Sequence, residues 1–78
     1  MIYKVGDKIK LYDKALEQME GSIYIIALPE PFKACLISIE DGVGWGEPVS
    51  IKDHSHITEE EMKSLLGPPY VYYEIIKV

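Results

Sequence analysis

The chain has 78 residues, a formal net charge of −5, a 47% hydrophobic and 27% charged composition, and no arginine. A chain of this length forms one small domain, spanning 1–78, that buries roughly 60% of its unfolded surface, so a deep catalytic cleft inside one subunit is not expected. No apolar run approaches the ~20 residues that span a bilayer, and MIYKVGDKIK lacks the apolar stretch of a signal peptide, so the expected location is the cytoplasm, with Cys35 a buried thiol.

Charge is unevenly spread. Lys4, Lys8, Lys10 and Lys14 outweigh Asp7 and Asp13 in the first fourteen residues, whereas the remaining 64 carry four lysines against eleven acids. Nucleic-acid recognition leans on positive potential and on bidentate guanidinium contacts, and this composition argues against it. An acidic body better matches a basic protein surface.

In chain order, Val5-Gly6-Asp7 reads as a turn opening a first strand, with Ile9 and Leu11 inward and lysines outward. Residues 15–21, ALEQMEG, read as a loop with a single helical turn. The run Ile23 to Leu28 is apolar and β-branched, as expected of a central strand buried on both faces, and Pro29-Glu30-Pro31 closes it. A third strand covers Ala34 to Ile39, with Cys35, Ile37 and Ile39 on one side; Asp41-Gly42 signals a hairpin. A fourth strand covers Trp45 to Lys52, with Val49 and Ile51 inward and Pro48 marking an edge or bulge.

The next stretch, DHSHITEEEMKSLLGPP, crowds two histidines and four acids together. Alternate residues of an extended segment share a side, so His54 and His56 could face one metal, but with a single cysteine and no third histidine carboxylates would have to complete the site. Helix chemistry uses more of these residues. Thr58 and Glu61 have capping-box spacing, Ile57 and Met62 stand at staple positions, and three glutamates fill the first turn, where the helix dipole favours them. A helix over 59–66 follows, with Met62, Leu65 and Leu66 as its apolar face and Gly67-Pro68-Pro69 as its stop. Val71 to Val78 supplies a fifth strand. Five short strands with one helix before the last fit a mainly β fold, a small SH3-like five-stranded barrel; the runner-up is an open antiparallel sheet with the helix packed across one face.

The run LISIEDGVGWGEPVSIKDHSHITEEEM resembles small bacteriophage and prophage proteins of Gram-positive bacteria. Their pattern is roughly L-I, then G-x-x-W-x-x-P-V-x-V-x-D, then I-T-x-x-E. Leu36, Ile37, Gly42, Trp45, Pro48, Val49, Asp53, Ile57, Thr58 and Glu61 match, and Ile51 stands in the second valine's place. Those proteins often carry a basic residue before the tryptophan, where this chain has Gly44. The resemblance implies phage origin and no known chemistry.

No nucleophile is spaced with a base and an orienting group, so no catalytic residue, cofactor or metal is assigned. The expected function is non-enzymatic: a phage-encoded inhibitor or adaptor that binds a host, defence or phage protein. The candidate binding residues are Trp45, Glu40, Asp41, Glu47, Tyr70 and Tyr72. The alternative is an oligomeric sponge holding a nucleotide-like signal between aromatic rings at a subunit interface. Trp45 itself has two readings, an exposed contact or a packing residue.

Overall fold

The computed structural model describes residues 3–13, 22–67 and 73–78. Five strands, β1 (Lys8–Asp13), β2 (Ser22–Glu30), β3 (Lys33–Ser38), β4 (Gly44–Ser50) and β5 (Tyr73–Lys77), form one antiparallel sheet in the order β4-β3-β2-β1-β5, with helix α1 (Glu59–Leu66) between β4 and β5. β2 is the central strand, as its apolar run suggested. The helical turn expected in 15–21 and the start of the fifth strand at Val71 and Tyr72 lie outside the described residues.

The expected barrel does not close. β4 and β5 are the two edges of the sheet, and no ladder joins them among the described residues. Between the pairs Ala34↔Val49 and Leu36↔Trp45, a single residue of β3 stands opposite three of β4. Gly46 at φ 73 allows that bulge, and Pro48, which has no N–H to donate, lies within it. Such an edge is a poor partner for further pairing. The core is instead closed by α1, whose Met62, Leu65 and Leu66 are buried with Ile9, Leu11, Ile26, Ala34, Leu36, Ile51 and Ile57.

That arrangement gives the sheet an inner face toward α1 and an outer face away from it. Alternation places Ile9 and Leu11 of β1, Ile26 of β2 and Leu36 of β3 inside, each nearly inaccessible. Ile23 and Ile25 fall on the outer face and are only half-buried, so β2 is not covered on both sides as its run of apolar residues implied. β2 also continues through Pro29 to Glu30. The registers Ala27↔Cys35 and Glu30↔Lys33 leave Leu28 and Pro29 opposite Ala34 alone, a bulge that accommodates the proline.

The helix start is built as its spacing implied. Thr58 accepts from the Glu61 N–H at 3.2 Å, and the Glu61 carboxylate accepts from the Thr58 N–H at 2.9 Å. Its second oxygen takes the Lys52 N–H at 3.0 Å, tying the helix to the chain leaving β4. Just before the cap, Ile57 donates to the Tyr3 carbonyl and Val5 donates to that of His54, which fastens the N-terminal segment here. At the far end Gly67, at φ 77, turns the chain out and donates to the Lys63 carbonyl.

The Thr58 N–H bond, with those from Lys52 N–H and the Thr58 hydroxyl, outweighs partial burial and holds the Glu61 carboxyl below its ordinary range. A folded-state value below the unfolded one contributes stability above the unfolded value, and that contribution is lost as pH falls through the folded one. Thr58→Ala should cost about 1 kcal/mol in urea denaturation near neutral pH. Glu61→Gln should lose stability near neutrality and show a shallower decline than the parent on acidification below about pH 4.5, the ordinary value of a glutamate carboxyl. Parallel acid profiles for Glu61→Gln and the parent would be inconsistent with this assignment.

Candidate functional site

The hairpin end between β3 and β4 carries two of the candidate residues, Glu40 and Asp41. Its end is tightly built: Ser38 donates to the Val43 carbonyl, Gly42 donates back to Ser38, and Gly42 takes φ 72. Side chains lock the same turn, with the Asp41 carboxylate accepting from the Val43 N–H at 3.0 Å and the Ser38 hydroxyl accepting from the Glu40 N–H at 3.3 Å. Asp41 therefore serves the turn as well as the surface. Two apolar side chains stand exposed beside these acids, Ile39 at 48% and Val43 at 61%. Glu47 is exposed on the bulged part of β4.

Trp45 does not stand at this surface with them. It is half-buried against the core, and its indole N–H donates to the Leu66 carbonyl at 2.9 Å, satisfying a carbonyl of the last helical turn. Tyr24 and Tyr73 meet it edge-on, with ring centroids at 5.6 and 5.2 Å and interplanar angles of 82° and 87°. The indole thus fastens β4 to α1, β2 and β5. Tyr70 and Tyr72 lie outside the described residues.

The histidines enter structure rather than a shared centre. His54 Nε2 accepts from the Phe32 N–H at 3.3 Å, and the two rings lie 4.6 Å apart; His56 donates its backbone N–H to the Asp53 carbonyl. Asp53 accepts from the Ser55 N–H and hydroxyl, bonds that hold its carboxyl below the ordinary range. Among the described residues no three histidine, cysteine or acidic side chains come together as metal donors. Cys35 is buried, and burial pushes its thiol up, away from the thiolate form.

Phe32, an aromatic residue that the sequence suggests for a barrel face, stands instead in an exposed turn. It occupies φ 59 in the turn after Pro31, where glycine or asparagine is the usual choice, and its ring is 56% exposed. Only the order Pro31-Phe32 between Glu30 and Lys33 could have hinted at it. No helix among the described residues is long and apolar enough to cross a membrane. Compared with known proteins, the chain matches no family model, no curated protein and no solved structure.

The indole contacts generate a stability prediction. Trp45→Phe keeps a ring but loses the bond to Leu66, which should cost about 1 kcal/mol, whereas Trp45→Ala opens a cavity and should cost about 3 to 5 kcal/mol. Because Trp45 is the only tryptophan, its emission should be blue-shifted and resist iodide quenching in the native state. Equal stability of all three proteins would rule out the packing role.

Proposed function

We propose that this chain is a non-enzymatic protein-binding module whose contact surface is the β3–β4 hairpin end with the adjoining edge of β4. The observation that carries this reading is the rigid turn that holds Ile39 and Val43 exposed beside Glu40 and Asp41. Isolated exposed apolar residues are ordinary; two at the tip of a side-chain-locked turn, flanked by acids, form a compact anchor with a charged rim. Its complement is a basic surface with a small apolar pocket. Glu47 extends the acidic rim along β4, and Trp45 acts behind it by fixing the hairpin to the body.

The resemblance to phage-encoded proteins directs the search for that partner toward the bacterial cytoplasm, to host or defence proteins on which the chain would act as inhibitor or adaptor. A nucleotide-binding sponge would need aromatic faces free for stacking. The Trp45 ring is already engaged by two tyrosines and gives that alternative little support.

The double variant Val43→Ser/Glu47→Lys changes two exposed side chains and spares the turn's hydrogen-bonding groups. With immobilised protein and host lysate read by mass spectrometry, the parent should enrich a basic partner, and the variant should bind it at least about tenfold more weakly with an unchanged melting temperature. The same partner captured at the same yield by both proteins would overturn the hairpin assignment.

A further inference from the structure

We infer that the outer face of the sheet is a self-association surface on which a second copy of this chain packs, related by a two-fold axis running parallel to the strands along β2. The registers assemble this face residue by residue. Lys10 pairs with both Ile23 and Ile76, Ile25 pairs with Lys8 and Ile37, and Ile39 donates its N–H to the Ile23 carbonyl. Isoleucines therefore cover β3 and β2 and stand again on β5, with Lys8 and Lys10 of β1 between them. Ile39 and Ile76 are 48% and 45% exposed, while the inner-face residues Leu36 and Ile26 belong to the core and Tyr73 and Ile75 pack against it.

The distribution of charge selects the occupant. Lys8 and Lys10 lie on one side of β2, and β3 with its acidic turn lies on the other. A rotation about an axis along β2 sets β1 of one copy over β3 of the next, so Lys10 meets Ile39 and Glu40 of the second copy, and β2 packs on β2. The Lys10 ammonium already leans that way, lying 5.6 Å from the centre of the Tyr12 ring, toward the end of the sheet that carries the Glu40-Asp41 turn. An axis across the strands would instead stack lysine on lysine. A chain of net charge −5 also needs its own lysines at any contact with a copy of itself, and this face supplies them.

The area sets the strength. Five strands at ~4.8 Å spacing, about six residues long at ~3.3 Å each, offer roughly 500 Å² on each copy. The total of about 1,000 Å² is at the lower limit for a specific interface, which fits a reversible dimer with a dissociation constant in the micromolar range. Ile39 and Glu40 belong to both surfaces, so the dimer and the hairpin's partner compete for them. Lys10 and Ile76 serve only the dimer and Val43 and Glu47 only the hairpin contact, so variants at these positions let the two readings fail separately.

Sedimentation equilibrium across concentrations from about 1 µM to 1 mM spans that range. The parent should pass from monomer to dimer, Lys10→Glu and Ile76→Glu should each weaken association at least tenfold, and the double exchange Lys10→Glu/Glu40→Lys should recover most of the loss. Thermal melts of the same proteins confirm that each is folded. A parent that remains monomeric throughout overturns the inference and leaves the face to a different occupant; a dimer insensitive to Lys10→Glu and Ile76→Glu overturns it by placing the contact elsewhere. Absence of recovery in the charge exchange overturns the proposed two-fold.

Discussion

The Trp45 indole sits where four parts of the chain meet, and the way the sheet ends depends on it. Its ring fills the gap between the edge strands β4 and β5, against Tyr24 and Tyr73, and its N–H takes up the carbonyl of Leu66. A backbone ladder between β4 and β5 would have made a barrel. The Trp45–Tyr73 ring contact bridges these edges instead, and the indole N–H ties β4 to the end of α1. Fixing the strand at Trp45 also fixes the hairpin before it, so the proposed binding tip is positioned from behind by a residue that need not touch the partner.

The most local chemistry was the most legible in the sequence. Thr58 and Glu61 declare the helix start through spacing alone, because a capping box depends on residues three apart and on little else. The inward faces of β1 and α1 followed from periodicity, and Gly42 marked a turn that needs positive φ. What spacing could not convey was closure. Whether the two outermost strands pair depends on residues far apart in the chain, and Pro48 between Gly46 and Val49 was as compatible with a barrel seam as with the open, bulged edge it forms.

The candidate site was legible in part for the same reason. Glu40 and Asp41 belong to a turn whose residues are neighbours in sequence, and they do share one exposed hairpin end. Trp45 had two readings in the sequence, exposed contact or packing residue, because the partners that engage it come from β2, α1 and β5, far away in the chain. The turn conformation of Phe32 was not legible, because the bond its N–H makes is to His54, twenty-two residues away. The apolar run of β2 announced burial correctly on its inner side only; a run of isoleucines records that both faces shun water without recording whether the cover comes from the same chain.

The order of strands also carries a consequence for how the molecule comes together. β1 to β4 form a meander in which each strand pairs with its sequence neighbours, whereas β5 must return across the whole fold to lie beside β1. Contacts between near neighbours cost little loop-closure entropy, so the meander is the part able to assemble first, and β5 is the late addition. Until it arrives, the flank of β1 presents an unpaired row of amides and carbonyls, a template open to the same strand of another molecule, although the tethered β5 is favoured by its effective concentration. The Asp7–Lys77 ion pair at 3.1 Å, beside the turn that opens β1, fastens the end of β5 once the strand has docked.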